Sequence, residues 1–80
     1  MGYDIKYSRA AEKYLDGQTS ATQKRIMDAI DDLPGGNVIK LSGRDGYRLT
    51  VGGFRVLFDY IDGTTIDVVT IAPRGDVYKK

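Results

Sequence analysis

Strand-like alternation opens the chain and gives way to a helical spacing. Tyr3, Ile5 and Tyr7 alternate with polar residues, which predicts a short strand that carries these three side chains on one face. Ser8 follows and has the side chain of a good helix N-cap. The apolar spacing after Ser8 predicts a first helix over residues 9–15.

A second helix is predicted to open at Thr19 and Ser20, because residues 20–23 have the form of a capping box. Its apolar stripe follows the helical period and is expected to be core. The stripe consists of Ile26, Met27, Ile30 and Leu33. The Pro34-Gly35-Gly36 run ends this helix. Residues 37–46 are rich in glycine and charge, and we expect them to form a loop.

From Tyr47 the hydrophobic period changes to two. Strands are predicted over residues 47–51, 54–61 and 65–72, with Gly52-Gly53 and Asp62-Gly63 as the turns between them. The predicted order is β-α-α-β-β-β. The fold class is therefore α+β, with two N-terminal antiparallel helices packed on one face of a mostly antiparallel sheet.

The Gly52-Gly53 turn assigns side chains to the two faces of the sheet, because alternate residues of a strand share a face. The core face is predicted to carry Tyr47, Leu49, Val51, Phe54, Val56, Phe58, Val69 and Ile71. The opposite face is predicted to carry Arg48, Thr50, Arg55, Leu57, Asp59, Ile66, Val68, Thr70 and Ala72. On that face Leu57, Ile66 and Val68 would form an apolar strip beside two arginines. Such a strip predicts a docking surface for a partner protein.

Composition excludes several kinds of chemistry. The chain has no Cys and no His, so a disulfide framework, a cysteine nucleophile, a Cys/His zinc site and histidine acid–base catalysis are ruled out. The net charge is only +1, so any binding of nucleic acid must come from local clustering of basic residues. The sequence predicts neither a membrane span nor a signal peptide, and we expect a cytoplasmic protein.

Arginines above an apolar floor suit a phosphate and a base, since guanidinium binds phosphate with two parallel hydrogen bonds. The segments around these arginines resemble the RelE/ParE superfamily, toxins of bacterial type II toxin–antitoxin systems. The resemblance covers nearly the whole chain. It is carried by K-L at residues 40–41, G-Y-R-L at 46–49, V-G-G-F-R-V-L-F at 51–58 and R-G-D-V-Y at 74–78.

The resemblance implies one toxin domain over residues 1–80 with the fold predicted above. RelE-like relatives cut messenger RNA on the ribosome, without a metal or other cofactor, by attack of a 2′-hydroxyl on the adjacent phosphate. They are neutralised by a cognate antitoxin, and they meet operator DNA only through that antitoxin. We therefore expect the ribosome, mRNA and an antitoxin as partners, with no membrane partner.

Residue roles follow from the same resemblance. The catalytic residues are expected to be Arg48, Arg55, Arg74 and Tyr78, with the largest contribution from Arg55 on an accessible sheet face. Further RNA contacts are expected from Lys40, Arg44, Thr50, Lys79 and Lys80. Antitoxin contacts are expected from Leu57, Ile66 and Val68. Thr50 stands where many relatives have a second basic residue, and Pro73 where relatives often have His or a basic residue, so the general base is left open.

Two other functions remain open at this point. A ParE-like relative would poison DNA gyrase by binding instead of cutting RNA. A non-catalytic relative would only bind its antitoxin and help repress its operon. The arginine–tyrosine set favours the ribonuclease, whereas Thr50 and the missing base favour the gyrase poison.

Overall fold

The computed structural model describes residues 3–33 and 35–73, in which two helices cover one face of a five-stranded sheet. The elements are β1 (Asp4–Tyr7), α1 (Arg9–Asp16), α2 (Ser20–Asp31), β2 (Asn37–Lys40), β3 (Tyr47–Val51), β4 (Phe54–Tyr60) and β5 (Thr65–Pro73). The strand order is β1-β5-β4-β3-β2, and all pairs are antiparallel except β1 with β5. The predicted α+β fold class is confirmed.

Both helices begin at capped N-termini. Ser8 is the N-cap of α1, as predicted, and its Oγ accepts a hydrogen bond from the Ala11 N–H (3.0 Å). The N-cap of α2 is Thr19, one residue before the start of the predicted capping box, and its Oγ1 accepts from the Thr22 N–H (3.2 Å). Gln23 Nε2 donates to the Leu15 carbonyl (2.7 Å), which ties α2 to the end of α1.

Residues 37–40 differ from the prediction, because they form the edge strand β2 and not a loop. Val38 pairs with Leu49 and packs against the core, whereas Ile39 pairs with Arg48 on the opposite face. The segment reads polar-apolar-apolar-polar and so lacks the alternation that marks a half-buried strand. The remaining loop closes with a hydrogen bond from the Leu41 N–H to the Gly46 carbonyl (3.0 Å).

The β3–β4 hairpin has the register that its Gly52-Gly53 turn predicts. Its core face carries the pairs Tyr47↔Phe58, Leu49↔Val56 and Val51↔Phe54. Gly52 has a φ of +53°, a conformation that favours glycine. The core also takes Ile26, Ile30 and Leu33 from the predicted stripe, but Met27 is 40% exposed.

The face assignment of β5 is only partly correct, because a β-bulge interrupts its ladder with β4. Leu57 pairs with Thr70, but the next residue, Phe58, pairs with Val68, so Val69 is the extra residue. One extra residue exchanges the two faces beyond it. Thr70, Ile71 and Ala72 lie on the predicted faces.

Ile66 and Val68 therefore point into the core, where each is 0% exposed, and Val69 is 43% exposed. The expected apolar strip of Leu57, Ile66 and Val68 is wrong for its last two members, which cannot contact an antitoxin while the domain is folded. Leu57 alone stays on the face opposite the helices, where it pairs with Arg48 and Thr70.

Ser8 also stabilises this bulge through two hydrogen bonds. Its backbone N–H donates to the Val68 carbonyl (2.9 Å), and its Oγ donates to the Val69 carbonyl (2.7 Å). A single hydroxyl thus caps α1 and satisfies the carbonyl of the bulged residue. The start of the helical layer is thereby coupled to the residue that decides the faces of β5.

We expect Ser8→Ala to destabilise the domain by about 2 kcal/mol, because it removes the cap and the donor to the bulge together. Thr19→Ala is the matched control, since it removes a cap that has no bond to the sheet, at an expected cost of about 1 kcal/mol. Urea unfolding followed by circular dichroism measures both. Equal losses for the two variants would show that the bulge gains nothing from Ser8.

No helix in the part of the chain that the structure describes is long and apolar enough to cross a membrane.

Candidate nucleic-acid interface

The sheet face opposite the helices, called here the open face, brings the two predicted sheet arginines together. Arg48 pairs with Leu57 and Thr50 pairs with Arg55, which makes Arg48 and Arg55 diagonal neighbours across β3 and β4. Such neighbours have Cα atoms roughly 7–8 Å apart, within the reach of two long side chains. The hairpin turn that fixes the core register therefore also fixes this pair.

A pocket of about 350 Å³ lies beside Arg48 at the β2 side of the open face. Its apolar lining comes from Ile39, Leu41 and Leu57, and its basic lining from Lys40, Arg44 and Arg48. The end of β2 and the loop after it thus bring two cations, Lys40 and Arg44, to Arg48. The volume is at the lower end of the roughly 300–1,000 Å³ of small-molecule sites.

Arg55 is buried, with 8% of its surface exposed, although an accessible side chain was expected. Its Nη1 donates to Thr50 Oγ1 (3.0 Å), and its Nε is shielded from solvent. Arg48 is half-buried and lines the pocket, whereas Arg55 does not line it. The position that incoming phosphate can reach is therefore that of Arg48.

Ile39 is a pocket residue that sequence reasoning missed, because residues 37–46 were expected to form a loop. It is 45% exposed and faces the pocket from the edge strand, opposite Arg48. The signal that could have found it is the pair of adjacent β-branched residues Val38 and Ile39, because successive side chains of a strand point to opposite faces. An exposed aliphatic side chain beside three cations suits the flat, apolar face of a nucleobase.

The far half of the open face is acidic. Asp59 pairs with Asp67, and Asp67 pairs with Lys6 on β1. Neither carboxylate lies within salt-bridge distance of a basic side chain in residues 3–33 and 35–73. Asp59 Oδ1 instead accepts a hydrogen bond from the Tyr60 N–H (2.8 Å). The open face is thus divided into a cationic half at the pocket and an anionic half near β1.

The groups with shifted pKa values lie outside the pocket. Burial raises the pKa of Tyr60, and the neighbouring Tyr3 and Tyr47 add to the effect. Burial and the nearby Asp31 likewise raise the pKa of Tyr7. Both phenols belong to the helix side of the sheet, where they pack against the core. Neither is placed to exchange a proton with a molecule on the open face.

The remaining predicted site residues, Arg74, Tyr78, Lys79 and Lys80, lie outside the described residues. Within the described ranges, no group of three or more potential metal-ligating side chains is close enough to hold a metal ion. The residues that line the pocket are mainly cationic and apolar. They can bind a phosphate through guanidinium and ammonium donors and hold a base against aliphatic side chains.

Three solved toxin–antitoxin structures are similar to this chain. Against the archaeal RelE-RelB complex from Pyrococcus horikoshii OT3 the TM-score is 0.75 at 28% identity, covering 95% of this chain and 99% of that one. Against the RelB-RelE antitoxin–toxin complex from Methanococcus jannaschii the TM-score is 0.73 at 21% identity, covering 91% and 94%. Against the RelBE2 toxin–antitoxin complex from Mycobacterium tuberculosis the TM-score is 0.73 at 14% identity, covering 95% of each chain.

No protein-family model matches the chain, and no curated protein matches it either. The structural likeness nevertheless extends over almost the full length of this chain and of the compared chain in each case. The fold is that of the RelE-like toxins, which confirms the resemblance drawn from the sequence.

Proposed function

We propose that this chain, which has the RelE-like toxin fold, is the toxin of a type II toxin–antitoxin module and cuts messenger RNA on the ribosome in the cytoplasm. The observation that carries the proposal is the pocket in which Arg48 meets Lys40 and Arg44 above an aliphatic floor. Phosphate and base are the two groups that such a pocket accommodates together. In this proposal the RNA backbone lies along the cationic half of the open face.

The proposed reaction is the attack of a 2′-hydroxyl on the adjacent phosphate. The new O–P bond forms as the bond to the 5′ oxygen breaks, which leaves a cyclic phosphate and a free 5′-hydroxyl. Arg48 contacts the phosphate, where negative charge grows in the transition state, and Arg55 adds positive potential from beneath the surface. Arg74 and Tyr78 complete the proposed set, in which they stabilise the departing 5′ oxygen. No cofactor takes part in this scheme.

An antitoxin is the proposed regulator, on the basis of the RelB partners in the similar structures. Its proposed contact surface is the apolar part of the open face, with half-buried Leu57 and 45% exposed Ile39. Covering these residues would close the pocket and block the access of RNA to the arginine that lines it. Operator DNA would then be bound by the antitoxin, with the toxin attached to it.

Primer extension on a translated message after induction tests the proposal. Cuts spaced by codons, and their reproduction by the purified protein on programmed ribosomes, are the expected result. An intact message together with cleaved DNA would identify a gyrase poison instead. Intact message and intact DNA, with antitoxin still bound, would leave the protein as a non-catalytic partner of its antitoxin.

The acidic half of the open face is expected to weaken RNA binding by repelling the backbone. Replacing Asp59 and Asp67 by Asn together should tighten binding of a short single-stranded RNA about three- to tenfold at low salt, with a smaller gain near 0.15 M salt. The double variant Asp31→Asn/Asp32→Asn is the control, since it makes the same change of net charge on the helical layer. Fluorescence anisotropy measures both. Equal gains would show that only net charge matters.

A further inference from the structure

The hydroxyl of Thr50 contacts the buried arginine of the open face. Thr50 and Arg55 are directly opposite each other across β3 and β4, one pair beyond the Val51↔Phe54 pair that flanks the turn. The Arg55 Nη1 to Thr50 Oγ1 distance is 3.0 Å, a normal hydrogen-bond length, and the contact is partly buried. Thr50 was expected to touch RNA, but its acceptor is directed to Arg55.

The position of Arg55 depends on such an acceptor, because Arg48 is its diagonal neighbour. Two guanidinium groups on neighbouring side chains repel each other, and an arginine side chain has many rotamers into which it can move away. Thr50 offers an oxygen on a short, β-branched side chain with few rotamers, set on a strand that is paired on both sides. A hydrogen bond to it selects one position of the Arg55 guanidinium.

We infer that Thr50 is a positioning residue, which holds the guanidinium of Arg55, the diagonal neighbour of Arg48, by accepting its Nη1–H. The effect of this bond on cleavage rests on the proposed function. Arg55 adds to transition-state stabilisation only while its charge stays in place, since preorganised charge acts without reorganisation during the reaction. In this role Thr50 acts through Arg55 and not on the reacting atoms.

Thr50→Val is the test, because valine keeps the shape and strand preference of threonine and removes the oxygen. We expect a roughly 10- to 100-fold fall in kcat on programmed ribosomes, the range for losing a hydrogen bond to a charged group, with KM little changed. Tm should fall by several degrees, because a buried donor loses its acceptor, so cleavage is measured well below Tm. Thr50→Ser keeps the acceptor and should restore most of the rate. Thr65→Val is the matched control, because Thr65 lies at the other end of β5, where it pairs with Asp4, and this variant should cleave at the wild-type rate.

A second measurement follows the bond without any activity assay. Rotation about the Arg55 Nε–Cζ bond should be slow in the wild type and in Thr50→Ser, and faster in Thr50→Val, as seen in ¹⁵N spectra of the guanidinium. An unchanged rotation rate in Thr50→Val, or unchanged kcat in an active enzyme, would overturn the inference. If the wild type cuts no RNA, the proposed function fails and the rotation rate still decides whether Thr50 holds Arg55.

Discussion

Arg48→Ala should reduce cleavage on programmed ribosomes by about 10²- to 10³-fold, the usual loss when one preorganised donor to a developing negative charge is removed. Arg48 is the arginine of the hairpin that lines the pocket, and it is half-buried, so its loss removes the proposed phosphate contact at small cost to the fold. Single-turnover cleavage, with RNA binding measured separately, gives the effect. Tm should change little.

Three variants make this prediction specific. Arg25→Ala removes the same charge from an exposed position on α2 and should cleave normally. Arg48→Lys should recover only part of the rate, because an ammonium group cannot make two parallel bonds to a phosphate. Arg55→Ala should lower stability as well as cleavage, since it empties a buried site. Full cleavage by a folded Arg48→Ala protein would remove the pocket from the mechanism.

Val56→Asp should leave the domain largely unfolded. Val56 is 0% exposed and lies between Leu49 and Ile71 on the core face of the sheet. Burial of an unpaired carboxylate costs several kcal/mol, and a core of this size supplies only about 3–5 kcal/mol of net stability. Loss of the native circular dichroism spectrum and of dispersed methyl signals is the expected observation.

Val69→Asp is the matched control for Val56→Asp. The substitution is identical, but Val69 is the exposed residue of the bulge, so the domain should stay folded with a loss of about 1 kcal/mol. A face assignment without the bulge would place Val69 in the core and make both variants unfold. A folded Val56→Asp protein, or an unfolded Val69→Asp protein, would contradict the register described here.

Some features of this fold depend only on residues that are close together in the sequence. Ser8 as a cap and Gly52-Gly53 as a two-residue turn act within a few residues, so their signals are complete in the sequence. A two-residue turn permits only one register for the two strands that it joins. The Gly52-Gly53 turn therefore also determined which hairpin residues are core and that Arg48 and Arg55 share the open face. The resemblance to the RelE/ParE toxins gave the fold in agreement with this pattern.

Tertiary structure decided what depends on residues far apart in the chain. The bulge at Val69 has no local signal, because its carbonyl is satisfied by Ser8, 61 residues away, and the register of β5 is set by its neighbours β1 and β4. Strand β2 exists because β3 pairs with it, and that pairing brings Lys40 and Arg44 to Arg48. Arg55 is buried for the same kind of reason: alternation assigns a side chain to a face, whereas its exposure depends on everything that packs around it.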